Sequence, residues 1–279
     1  MKDLAYYNGK ITAIDEMMIP MNDRVCWFGD GVYDVAMCRN YKPYCLQAHI
    51  DRFYRSAGML RMTVPMSKEE LSGLVCELVR KLDDPDQMIY FQLTRGTAPR
   101  GHAFAADMKP NLWLTLKPAK IKPADTEVTL LSVEDTRYLH CNIKTLNLIP
   151  NCMAEQAAID AGYSTAVFHR GKIVTECAHS NVHIIKDGKI ITHEADNLIL
   201  PGIARSNLLR IAEKIGIPCE IREFTTDELE NADEIFTTST TAICQRVTAV
   251  DGKKVGCRDR ETFTRLQNAL RDDYITATD

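Results

Sequence analysis

The stretch Lys117-Pro118-Ala119-Lys120-Ile121-Lys122-Pro123-Ala124-Asp125 constrains the fold more than any other part of the chain. Two prolines break any backbone ladder, and three lysines leave little to bury. Such a segment reads as a linker between separately packed bodies. The chain has 279 residues, which suits two domains of ordinary size. We therefore expect a small domain over residues 1–117, a linker over 118–125 and a larger domain over 126–279.

Each side of the linker carries its own pattern. Asn8-Gly9 between two short apolar runs predicts a hairpin. Residues 46–62 place Ile50, Phe53, Tyr54, Ala57 and Leu60 on one helical face. Ser67-Lys68-Glu69-Glu70 is a capping box that opens a second helix. Residues 88–94 and 111–116 read as strands. Beyond the linker, 127–133 is an expected strand and 148–161 a helix stopped by Gly162. Arg170-Gly171 and Asp187-Gly188 mark two successive hairpins. Helices over 203–215 and 261–271, a short helix capped at Thr226-Asp227 and a strand over 234–238 complete the pattern. The sum is an α+β protein, with an α/β first domain and a sheet-rich, barrel-like second one.

Bulk properties exclude several partners. The net charge of -4 argues against nucleic acid or an anionic membrane. No run approaches the roughly 18 apolar residues of a membrane span, and Met1-Lys2-Asp3-Leu4 has no export pattern. Ten scattered cysteines without a Cys-x-x-Cys spacing read as reduced thiols in a cytoplasmic protein. His140-Cys141 and Cys177-x-His179 lack the spacing of a zinc site, so no metal is expected.

Four stretches could carry chemistry. Phe28-Gly29-Asp30-Gly31-Val32-Tyr33 sets a tyrosine beside a sharp turn, with a plain turn and strand as the alternative. Arg95 through His102 holds Arg100 and His102 in a Gly/Pro loop; arginine forks suit carboxylate or phosphate, and a solvated basic loop is the alternative. Pro201-Gly202-Ile203-Ala204 opens a helix with free N–H groups that suit an anion, or is an ordinary helix start. Thr237-Thr238-Ser239-Thr240-Thr241 offers hydroxyl donors, or is a threonine-rich strand and turn. Together they supply anion donors in both halves of the chain, as a phosphorylated cofactor in a cleft between domains requires.

These stretches follow a familiar order. Asp23-Arg24, Phe28 to Tyr33, His49-Ile50-Asp51-Arg52, Tyr90 to Gly96, Lys144-Thr145-Leu146-Asn147, Thr175-Glu176, Asn181-Val182, Pro201-Gly202-Ile203 and Thr238 to Thr241 succeed one another along nearly the whole chain. The sequence resembles the class IV pyridoxal-phosphate aminotransferases. The resemblance implies the two-domain fold of that family and a Schiff base between Lys144 and pyridoxal 5'-phosphate (PLP). It implies that Glu176 pairs with the pyridine nitrogen and that Arg52, the Ile203 and Ala204 N–H groups and Thr240 hold the phosphate. Arg137 occupies the position of a cleft arginine. A lysine in this role exchanges the cofactor with the substrate amine and moves the α-proton, so burial beside a cationic ring should lower its pKa. Without that context, Lys144 would read as a surface charge and Arg52 as half of a surface ion pair.

Within the family, the chain most resembles the D-amino-acid aminotransferases. Their carboxylate trap of one tyrosine and an Arg-x-His pair matches Tyr33, Arg100 and His102, the last two serving a partner subunit's site. The implied substrates are a D-amino acid and a 2-oxo acid such as 2-oxoglutarate or pyruvate, handled by a homodimer. Branched-chain or R-amine transamination, an aminodeoxychorismate-type lyase and a degenerate cofactor-binding protein are the alternatives. Cys177-Ala178-His179-Ser180 and Pro150 depart from the family pattern, and His179 is expected beside the cofactor face.

Overall fold

In the computed structural model, which describes residues 1–279, the Asn8-Gly9 turn forms with positive φ at both residues and closes Leu4–Tyr7 onto Lys10–Thr12. The chain divides into two compact units. One comprises Met1–Lys120, Ile143–Asn147 and Thr276–Asp279; the other comprises Ile121–Asn142 and Leu148–Ile275. The short stretch around Lys144 thus packs with the first unit, although the sequence pattern groups it with the second.

The first unit is built on a six-stranded sheet in the order Lys10–Thr12, Leu4–Tyr7, Asn111–Pro118, Gln87–Thr94, Gly31–Arg39, Lys42–Pro43. Successive side chains point to opposite faces. Val32, Leu93 and Leu112 lie opposite one another, as do Asp34, Phe91 and Leu114. Their apolar members share a core with Ile50 and Phe53 of the helix Leu46–Met59 and Leu71 and Leu78 of the helix Lys68–Val79. The Ser67/Glu70 capping box is formed in full. The other face carries the row Tyr33, Gln92, Trp113. Lys42–Pro43 pairs only with Cys38 and Arg39, leaving the start of Gly31–Arg39 as an edge. Ile143–Asn147 takes that edge through a Val32/Thr145 bridge.

The second unit has a ten-stranded mixed sheet. Its path runs Cys219–Ile221, Lys189–Thr192, Asn181–Lys186, Glu234–Ser239, Ile243–Val250, Val128–Glu134, Thr165–Arg170, Ile173–Cys177, Phe224–Thr225, with Lys253–Lys254 paired to Ile243–Val250. Val182, Ile184, Phe224, Ile235 and Val247 belong to its core. The helix Ile149–Asp160 buries Ala154 and Ala158 against Phe168, and its Pro150 sits in the first turn, where no N–H is needed.

Three local expectations shift. The final helix runs Arg260–Thr278, beyond the expected end at 271. Thr225, not Thr226-Asp227, caps the short helix, because its hydroxyl takes the Glu228 N–H. The strand Ile243–Val250 was not anticipated. No helix is long and apolar enough to cross a membrane.

Candidate active site

In the first unit, Lys144 is fixed through its backbone. Its carbonyl accepts from Tyr33 N–H at 3.0 Å, and its N–H donates to Ser56 Oγ at 3.3 Å. Leu146 N–H donates to Gly31 O at 3.1 Å. The Lys144 Nζ lies 4.3 Å from the centre of the Tyr33 ring. No carboxylate or other acceptor in the chain takes this amine, which is the condition a nucleophilic lysine requires. Tyr33 stacks on Tyr90 at 5.4 Å, and the Tyr90 hydroxyl donates to Gln92 Oε1 at 2.5 Å.

Arg52 is buried. Its Nε and Nη2 donate to the two oxygens of Asp34 at 2.8 and 2.7 Å, and His49 Nδ1 lies 2.8 Å from Asp34 Oδ1. Burial alone would raise the Asp34 pKa, but the Arg52 charge and the bonds from His49 and Arg52 outweigh it and hold the carboxyl well below its usual range. Burial lowers the His49 pKa despite the opposing pull of Asp34. The pairing partner Asp34 escaped the sequence reading. The available signal was His49, Arg52 and Ser56, polar residues three and four apart among the apolar positions of one helix.

Arg100 and His102 are exposed and come together over one ring. The Arg100 guanidinium lies 5.2 Å and the His102 ring 5.3 Å from the Phe28 ring centre. Arg24 holds their loop, donating to Gly101 O at 2.6 Å and His102 O at 3.3 Å while pairing with Asp30. No hydrogen bond or ring contact joins either of them to Tyr33 within the chain.

In the second unit, Glu176 is the penultimate residue of the strand Ile173–Cys177 and both its oxygens are engaged. Arg137 Nη1 donates to Oε1 at 2.5 Å, while Asn181 Nδ2 and the Leu200 N–H each donate to Oε2 at 3.0 Å. Arg137 also grips Asp135 through Nε and Nη2 at 3.0 and 2.9 Å. Burial opposes its charge, but Asp135 and Glu176 prevail and raise its pKa. Asp135 is the second residue that the sequence did not reveal. Cys177 is buried, which pushes its thiol up to about 12. His179 is half-exposed and lies 3.6 Å from Glu155.

Ile203 and Ala204 begin the helix Ile203–Lys214 after Gly202, which supplies no side-chain cap, so their N–H groups find no acceptor in the chain. Gly202 is needed there, since a Cβ would strike Asn181 Oδ1. Thr240 lies in the turn that joins Glu234–Ser239 to Ile243–Val250. Taken separately, the first unit offers an amine without a carboxylate partner, and the second a fixed carboxylate and uncapped helix N–H groups; each is a kind of group that PLP asks of a protein.

Known proteins agree with this chemistry. The family pattern "Amino-transferase class IV" matches residues 31–250. The D-alanine aminotransferase of Listeria monocytogenes serotype 4b (strain F2365) is 38% identical over 276 residues, covering 97% of this chain and 96% of that one. The chain is a class IV aminotransferase. It therefore uses PLP, as class IV aminotransferases do. The D-alanine aminotransferase of Bacillus licheniformis is 37% identical over 276 residues, 98% of this chain and 97% of that one. Among solved structures, the branched-chain amino acid aminotransferase of Escherichia coli superposes with a TM-score of 0.90 at 22% identity, over 100% of this chain and 96% of that one. The branched-chain aminotransferase of Thermoproteus uzoniensis, solved with norvaline, gives a TM-score of 0.88 at 24% identity, over 96% and 93%. At such identities these two speak for the fold alone.

Proposed function

We propose that this aminotransferase moves the amino group of a D-amino acid to a 2-oxo acid such as pyruvate or 2-oxoglutarate. One observation carries the reading: the D-alanine aminotransferases are 37–38% identical to this chain over nearly its full length. The paired display of Arg100 and His102 on Phe28 supports it.

PLP supplies an aldehyde that accepts the amino group and a ring that withdraws electrons from the substrate α-carbon. The residues of the chain do the rest. Lys144 Nζ takes the substrate α-proton, helped by an amine that no carboxylate has claimed. Glu176 would pair with the pyridine nitrogen, and its donors Arg137, Asn181 and the Leu200 N–H hold it in one orientation. Arg52, the Ile203 and Ala204 N–H groups and Thr240 would hold the phosphate. Tyr33, Arg100 and His102 bind the substrate carboxylate. Following the resemblance to the D-amino-acid aminotransferases, we assign Arg100 and His102 to the partner's site in a homodimer. The ten free thiols suit a cytoplasmic enzyme, and residues 118–125 act as the interdomain linker.

With carboxylate and amine both fixed, only one hand of the substrate aims its α-hydrogen at Lys144. D-alanine, D-glutamate, L-leucine and L-valine offered with a common acceptor test this. The two D-amino acids should turn over faster by at least about tenfold. Faster turnover of L-leucine and L-valine would transfer the assignment to branched-chain amino acids.

A further inference from the structure

Six arginines are buried in this chain: Arg24, Arg52, Arg95, Arg137, Arg205 and Arg246. Five of them face carboxylates, namely Asp30 for Arg24 and Arg95, Asp34 for Arg52, Asp135 and Glu176 for Arg137, and Glu127 and Glu234 for Arg246. Arg205 is the exception. It is 5% exposed and has no carboxylate partner. Its Nε donates to Thr192 Oγ1 at 3.1 Å and its Nη2 to His193 O at 2.8 Å, both neutral oxygens. Burial lowers its pKa, opposed only by Cys219. A buried cation without an anion is costly, and natural proteins seldom keep one without a use for it.

The surroundings show what the charge is for. Arg205 stands in the first turn of Ile203–Lys214, beside the uncapped N–H groups of Ile203 and Ala204, where the helix dipole also favours an anion. Thr192, which receives Arg205, also bonds the fully buried His183 at 2.9 Å. The other ring nitrogen of His183 lies 2.9 Å from Thr238 Oγ1, on the strand that leads into the Thr240 turn. One buried network thus joins the helix start to the hydroxyl-rich turn.

We infer that Arg205, tethered by Thr192 and the His193 carbonyl, is a second counter-charge, besides Arg52, for the cofactor's phosphate and strengthens the preference of the site for a phosphorylated cofactor. It is a positioning residue that acts through the field at the helix start. The inference rests on the proposed seating of the phosphate at Ile203 and Ala204.

The test titrates the full-length chain, stripped of cofactor, with PLP and separately with unphosphorylated pyridoxal, following the visible absorption. Arg205→Gln should weaken PLP binding by about tenfold or more, about 1.4 kcal/mol, while pyridoxal binding stays within about twofold. Arg205→Lys keeps the charge and should restore most of the preference for PLP. Thr192→Val keeps the charge but removes one of its two tethers, and should narrow the preference by about threefold; it decides the matter if Arg205→Gln fails to fold. Arg205→Gln with the wild-type preference, or an equal loss for both ligands, would overturn the inference alone. A wild-type chain that binds pyridoxal as tightly as PLP would overturn the phosphate seating beneath it.

Discussion

Glu176 shows how a single carboxylate can be kept in one place. Three donors from Arg137, Asn181 and the Leu200 backbone reach its two oxygens, so rotation would leave buried donors unpaired. Glu176→Gln preserves the shape and removes the charge. It should still bind PLP, while kcat falls by on the order of a hundredfold, because a neutral partner no longer holds the pyridine proton. Unchanged turnover with cofactor fully bound would contradict the role. The buried histidines make a second prediction. Burial, and for His183 the Arg205 charge, lower the pKa values of His183 and His49 below the ordinary 6.5. The unfolded chain therefore binds protons at a higher pH than the folded one. Stability from these neutral rings is complete above pH 6.5 and is lost as pH falls through that value, by up to about 1.4 kcal/mol per pH unit for each ring. Thermal unfolding followed from pH 8 to pH 5 should show Tm falling below about pH 6.5, and a shallower fall in His183→Gln. Equal slopes in the two proteins would remove His183 from this account.

The Lys144 segment depends on how closely two elements approach. Gly31 opens the strand Gly31–Arg39 against Gln87–Thr94 on one side and Leu146 on the other. A Cβ at Gly31 would collide with Leu93 O and the Leu146 side chain. Gly31→Ala should displace the lysine segment, lowering kcat by roughly tenfold to a hundredfold and stability by about 1–3 kcal/mol. Steady-state kinetics and thermal melts on the same preparation separate these effects, and wild-type kcat would show that the segment tolerates the shift. Many such elements were legible because their signals are local. The Asn8-Gly9 hairpin and the Ser67 capping box need no distant partner to form. Ile243–Val250 was hidden because Gln245 and Arg246 interrupt its apolar alternation. Both are buried, and Arg246 is neutralised by Glu234 and Glu127, residues remote in sequence. Asp34, Asp135 and Arg205 escaped for the same reason, since their meaning lies in partners found only after folding. The approach of His179 to Glu155 likewise joins residues far apart in sequence.

At the scale of the whole molecule, the proposed activity combines a family chemistry, a lysine and a handedness. The most direct test is borohydride reduction of the holoenzyme followed by peptide mass spectrometry, with and without prior exposure to an amino donor. Without a donor, the reduced cofactor should be fixed on the peptide that carries Lys144. Prior D-alanine, with no acceptor present, should move the cofactor into its amino form and abolish that labelling. Prior L-leucine should leave it intact. A label on any other lysine, or labelling abolished by L-leucine but not by D-alanine, would contradict the account.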